Sequence, residues 1–223
     1  MIAVLDYGIG NLRSAEKALQ RVGGDALLTA DADVALAADG VVLPGVGAFG
    51  RCLSALRASG LDEVVLDAVD RGRPLLGICV GMQMLYEGSD EDPGIPGLGV
   101  LAGTLHLLPL GVKRPQMQWN RLDSVGGSPG GSLGGLFEGL GAAPWVYFVH
   151  SYAAPMTSEV VATCDYGGPV VAAVARGPMW ATQFHPEKSG PVGLALLANF
   201  ARRCAPDLGA GSTGSVSSVS RPT

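Results

Sequence analysis

Apolar positions along this chain fall into two rhythms. Residues 2–6, IAVLD, form a short unbroken apolar run of the kind that a strand buried on both faces requires. The following NLRSAEKALQRV (11–22) changes to helical spacing, with Leu12, Ala15, Leu19 and Val22 on one side and charges on the other. DALLTA (25–30) and GVVLP (40–44) are the next predicted strands. AFGRCLSALRASG (48–60) and LDEVVLDAVDRG (61–72) predict helices that stop at glycines, the residue that best takes the left-handed turn after a helix. PLLGI (74–78) predicts a strand running into a helix over VGMQMLYEG (80–88). Strand–helix alternation with wholly apolar strands implies a parallel sheet covered on both faces.

The second half reads differently. Residues 88–97 form an acidic loop rich in Gly and Pro, 98–123 suggest short strands, and the Gly/Ser-rich 124–144 predicts a mobile surface loop. WVYFVHSY (145–152), EVVATCD (159–165), VVAAVARG (170–177) and MWATQFHP (179–186) are successive strands separated by turn signals, which suggests antiparallel pairs. Ser189 is placed to cap a last helix through Arg203, and the tail from about Pro206 has no means of burying itself. The expected architecture is a single α/β domain over residues 1–204, with a disordered tail over 205–223. Its central sheet is mostly parallel and flanked by helices, with additional antiparallel strands in the second half.

Composition narrows the function classes. With 48% apolar and 16% charged residues, a sizeable core is available. No stretch approaches the ~18 uninterrupted apolar residues that span a bilayer. The start, MIAVLDYGIG, lacks the basic region of a signal peptide. A net charge of −5 with scattered Lys and Arg gives nucleic-acid binding little support. The four cysteines (Cys52, Cys79, Cys164, Cys204) form no C-x-x-C pair, so zinc-ribbon and dithiol-redox readings fail and free thiols in the cytoplasm are expected. Any Cys–His chemistry must draw its base from His106, His150 or His185.

Two motifs carry chemistry. G-I-C-V-G (77–81) lies between an apolar strand and a helix. A nucleophile on such a sharp turn needs small residues two positions either side, the logic of the G-x-S-x-G elbow with cysteine in place of serine. The helix N-terminus favours the thiolate, and the Val80 backbone N–H points to where an oxyanion would form. A buried structural cysteine is the competing reading. F-H-P-E (184–187) follows the last strand. In an extended segment His185 and Glu187 face the same way, and Pro186 holds the chain extended. A carboxylate beside a histidine fixes its tautomer and stabilises its imidazolium, as a general base requires. A turn histidine beside a solvated glutamate is the alternative. His106 and His150, inside strand-like runs, read as structural.

LLGICVGMQML with a late QFHPEKS resembles the class I, triad-type glutamine amidotransferases. DYGIGNL (6–12), LPGVGAFG (43–50), GICVGMQ (77–83), YFVHSY (147–152) and FHPEKS (184–189) are similar to the glutaminase subunits of imidazole glycerol phosphate synthase in histidine biosynthesis. The resemblance implies that Cys79 attacks the amide of glutamine, that His185 moves the protons and that Glu187 orients the imidazole. A second oxyanion donor would come from the PGVG loop, at Val46 and Gly47. Gly47, Gln83, Ser151 and Tyr152 match positions that hold the glutamine backbone. The implied partner is a (β/α)₈-barrel cyclase that receives the ammonia, with Asn11, Trp119, Asn120, Tyr147 and Lys188 matching positions near that interface. No cofactor or metal is implied. QMQWN (116–120) stands where the family more often has HMGWN, a departure away from the triad that bears on partner contacts.

Other signals weigh less. G-V-G-A-F-G (45–50) fits a dinucleotide-binding pattern, but the second strand with its acidic end is replaced by a helix-like stretch. No G-K-[ST] is present, and the acidic stretch Ser89–Asp92 lacks calcium-loop spacing and reads as a solvated turn. Competing functions are another class I amidotransferase subunit, a stand-alone Cys–His hydrolase on the same fold, and a non-catalytic subunit with a relic triad.

Overall fold

The computed structural model describes residues 1–10, 12–124 and 135–205. The first half runs β1 (Ile2–Leu5), α1 (Leu12–Arg21), β2 (Ala26–Thr29), α2 (Ala32–Leu36), β3 (Gly40–Gly45), α3 (Phe49–Ala58), α4 (Leu61–Asp70), β4 (Leu75–Cys79) and α5 (Val80–Met84). Then come β5 (Tyr86–Ser89), β6 (Leu101–Leu107), β7 (Gln116–Arg121), β8 (Asp123–Ser124), β9 (Trp145–His150) and β10 (Tyr152–Ala153). The described residues end with β11 (Val160–Asp165), β12 (Pro169–Arg176), β13 (Met179–Thr182), a 3₁₀ turn (Pro186–Lys188) and α6 (Gly190–Cys204).

Among the described residues, eight strands form the main sheet in the order β2-β1-β3-β4-β13-β12-β11-β8. The first five are parallel, and β12, β11 and β8 extend the sheet antiparallel. The apolar runs seen in the sequence supply this centre: every residue of β1, β3, β4 and β13 is buried. Fully burying one such Val or Leu contributes roughly 1.5–3 kcal/mol, so the central strands dominate the core. α1 buries Leu12, Ala15, Ala18 and Leu19, as its helical spacing dictates. α3 and α4 end as expected, at Gly60 and Gly72, which take φ of 72° and 66°. α6 packs Phe200 against Trp180 of β13, and the Arg203 guanidinium lies over the same indole.

Several local expectations are corrected. The helix predicted over 80–88 stops at Met84, and Tyr86–Ser89 becomes a strand paired parallel with β6, because that register buries Tyr86 completely. The short α2, capped by the Asp31 carboxylate on the Asp33 and Val34 amides, went unread. Not all the late strands pair with their chain neighbours: β9 pairs antiparallel with β7 in a separate ribbon, and β13 inserts parallel beside β4. Ser189 stands at the N-terminus of α6 without capping it; its hydroxyl donates to the His185 carbonyl and accepts from the Tyr147 amide. Within the predicted mobile loop, Leu136 is buried and Asn199 donates to the Leu136 and Glu138 carbonyls, which ties that part to α6. Residues 125–134 of that loop and the tail from Pro206 lie outside the described residues.

Candidate active site

Three adjacent parallel strands, β3, β4 and β13, end on the same edge of the sheet, where open α/β sheets place their ligands. Gly45 of β3 is in register with Cys79, and Ile78 with Thr182 of β13. The loop after β3, the cysteine after β4 and the histidine after β13 are therefore neighbours.

Cys79 sits at φ 54°, ψ −110°, the one non-glycine residue with positive φ among those described. Such a conformation costs on the order of 1–3 kcal/mol and persists only where the surroundings enforce it. The flanking glycines are needed because the turn is crowded. A Cβ at Gly81 would overlap the Leu43 carbonyl, and one at Gly77 would lie 3.1 Å from the Met82 backbone. Gly45 is equally constrained, since a Cβ there would come within 2.8 Å of the Gly81 nitrogen.

His185 is 1% exposed, and its Nδ1 donates to Glu187 Oε1 at 2.8 Å. The pairing was expected from an extended segment. Instead Pro186 begins a 3₁₀ turn, because its fixed φ suits a first helical position, and the turn folds the carboxylate back onto the ring. Burial disfavours charge on the imidazole, but hydrogen bonding and attraction from Cys79 and Glu187 outweigh it and push His185 up to about 9. Among the described residues its Nε2 has no hydrogen-bond partner, and ring and thiol line the same cavity of about 370 Å³.

That cavity is also lined by Val46, Gly47, Val80, Gln83, Ser151, Tyr152 and Lys188. Gly47 takes φ 103°, open to glycine alone at little cost. The Pro44 carbonyl accepts from Tyr7 Oη at 2.6 Å and the Val46 carbonyl from Cys52 Sγ at 3.3 Å. Burial raises the pKa of both donors, so both stay protonated. Of the residues matched to a partner interface, Trp119 is exposed and packs edge-on to Tyr147 at 6.1 Å, while Asn120 donates to the Asp165 carbonyl. Asn11 lies outside the described residues.

The structure adds residues the sequence reading passed over. Glu91 and Asp92 do not form the solvated turn expected of them: they accept from the Phe49 and Gly50 amides at 2.9 Å each, anchoring the start of α3, and Glu91 reaches the cavity wall. First-turn amides without helical partners attract carboxylates, and the loop brings these two to them. Gln183, fully buried, donates to the Cys79 sulfur at 3.8 Å. His150 lines the cavity too: Nδ1 lies 2.8 Å from the Tyr152 carbonyl and Nε2 2.9 Å from Gln116 Oε1, two acceptors for the one proton of a neutral ring. Burial lowers His150 to about 4, which keeps it neutral. Gln116 therefore backs the cavity-lining His150 and not a partner surface, its side chain being fully buried between His150 and Cys164.

Comparison with known proteins agrees with this geometry. The family model for glutamine amidotransferase class-I matches residues 3–204. The chain is 48% identical to the imidazole glycerol phosphate synthase subunit HisH of Deinococcus radiodurans, over 92% of this chain and 94% of that one. It is 47% identical to the protein of the same description from Methanothermobacter thermautotrophicus, over 90% and 97%. A glutamine amidotransferase of known crystal structure superimposes with a TM-score of 0.70 at 22% identity, over 92% of this chain and all of that one. The chain belongs to the class I glutamine amidotransferases.

Proposed function

We propose that this amidotransferase is the glutaminase subunit of an imidazole glycerol phosphate synthase. In this reading it hydrolyses glutamine to glutamate and passes the ammonia to a (β/α)₈-barrel cyclase subunit. That partner makes imidazole glycerol phosphate and aminoimidazole carboxamide ribotide for histidine biosynthesis. The observation that carries the reading is the strained Cys79 facing one cavity with a carboxylate-anchored His185. The 44–48% identity to HisH subunits supports the pathway.

The thiolate of Cys79 attacks the side-chain amide carbon of glutamine, forming a C–S bond and placing negative charge on the amide oxygen. The Val80 N–H and a peptide of the Val46–Gly47 loop receive that charge. The C–N bond then breaks as the His185 imidazolium protonates the departing nitrogen, leaving a γ-glutamyl thioester and ammonia. Neutral His185 next removes a proton from water, which attacks the thioester and releases glutamate with the thiolate restored. Glu187 keeps Nδ1 protonated, so that Nε2 alone exchanges protons. Gly47, Gln83, Ser151 and Tyr152 hold the backbone of the substrate.

A free amidotransferase would release ammonia into water as unreactive ammonium, which argues for a docked synthase. The β7–β9 ribbon supplies an apolar face for it. Met117, Trp119 and Trp145 are all about half exposed or more, beside Tyr147 and near Lys188 at the cavity. Exposed aromatic clusters of this kind mark association surfaces. The test is glutamate release by the purified chain, with and without a barrel cyclase and its ligand, for native protein and Cys79→Ala. Large stimulation by the cyclase and silence of the variant are expected. Full activity in Cys79→Ala would end the proposal.

A further inference from the structure

Behind the nucleophile lies a chain of buried amides whose orientation is set from outside. The Tyr152 carbonyl can only accept, and Gln83 Nε2 donates to it at 3.2 Å. The same Nε2 donates at 3.0 Å to Gln183 Oε1. Both hydrogens of Gln83 are thus committed, and Gln183 must present its oxygen to Gln83 and its NH₂ in the opposite direction. There it meets Cys79 Sγ at 3.8 Å. The Gln183 backbone is fixed as well, since its N–H donates to the Ala172 carbonyl at 2.8 Å. Gln183 is fully buried and absent from the cavity lining, so its amide has no water as an alternative partner.

We propose that Gln183 is a further catalytic residue of this site, its side-chain N–H donating to the Cys79 sulfur and stabilising the thiolate before attack. The inference rests on Cys79 being the nucleophile. The thiol form has its own partner, the Val149 carbonyl, to which Cys79 Sγ donates at 3.9 Å. Ionisation surrenders that bond and leaves a carbonyl oxygen facing negative sulfur. A fixed donor on the other side offsets this loss. The oxyanion loop cannot supply it, because the amides there are needed where the substrate oxygen develops charge. Sulfur accepts weakly as a thiol and well as a thiolate, so the Gln183 bond favours the ionised form.

Titratable groups that face Cys79 are His185 after β13, Tyr7 after β1 and Cys52 of α3, with His150, Glu91 and Lys188 across the cavity. None of these is altered by substituting Gln183. The test is the rate of Cys79 alkylation by iodoacetamide against pH in the full-length chain, followed on the Cys79 peptide by mass spectrometry. In Gln183→Met the neutral-pH rate falls about tenfold, while the alkaline limb keeps its native height, since only the thiolate fraction has changed.

Gln183→Glu retains the acceptor for Gln83 and sets a carboxylate against the sulfur, so its neutral rate falls further. It also serves should the Met variant fail to fold. A native pH profile in either folded variant overturns the proposal, and so does an equal loss at every pH, which marks a packing role. Glutaminase activity surviving in Cys79→Ala would instead overturn the underlying assignment. An inactive Cys79→Ala beside an unaltered Gln183 profile would sink this inference alone.

Discussion

Ile78 of β4 stands opposite Thr182 of β13 in a parallel ladder, and from that one register the site is assembled. One residue onward are Cys79 and Gln183, whose side chains touch, and His185 follows two positions later. The elbow between β4 and α5 must stay narrow for this to hold. Gly81→Ala would drive a methyl group into the Leu43 carbonyl. We expect a loss of about 3 kcal/mol or more, read as a lower urea midpoint. Gly94→Ala, with open space around the added methyl, is the control and should unfold within about 0.5 kcal/mol of native.

Glu187→Gln keeps the size of the side chain and removes its charge. With the carboxylate gone, one of the two attractions that hold His185 up near 9 disappears, so the ring loses its proton at lower pH. In the proposed mechanism, expulsion of ammonia needs the protonated ring. The alkaline limb of kcat for glutamine hydrolysis should therefore move to lower pH, with kcat at pH 7.5 down roughly 10²–10⁴-fold. An alkaline limb unmoved in this variant would separate Glu187 from the proton transfers.

His150 gives the fold an acid-side weakness. Its folded value is about 4 because burial excludes the charge, whereas an exposed histidine titrates near 6.5. Below pH 6.5 the unfolded chain gains a proton that the folded chain refuses, so stability drops until the pH passes about 4. The contribution is roughly 3 kcal/mol, present in full above pH 6.5. Urea midpoints between pH 7 and pH 4 should fall in the native protein and fall less in His150→Gln.

Trp119→Ala should leave the isolated chain intact, since the indole is 48% exposed. Its thermal midpoint is expected to stay native, while affinity for the proposed barrel-cyclase partner weakens by tenfold or more. Titration calorimetry against the cyclase reads the second quantity. Unchanged affinity would remove Trp119 from the docking face.

The parallel centre of the fold was legible because its strands are uniformly apolar and its helices keep a 3.6-residue spacing with glycines at their ends. The cysteine elbow was legible through local crowding, which leaves Gly77 and Gly81 no alternative. What escaped depends on contacts remote in sequence. Gln183 reads as one more polar residue on a strand until β13 is placed beside β4. Glu91 and Asp92 look like surface charges until their loop meets the open amides of α3. Tyr86 leaves its helical neighbours for a strand because the core rewards its burial more than local propensity favours a helix.

The middle of the sheet is filled by β13, a strand far downstream of its neighbour β4. Until residues beyond 182 emerge from the ribosome, β4 has no neighbour on one side and presents an unpaired apolar edge. Nascent chains of this amidotransferase therefore carry Cys79 without its proposed base until His185 has been made. They also carry a sticky border that only the arrival of β13 removes. Premature termination should yield aggregates, and no half-built glutaminase that leaks ammonia.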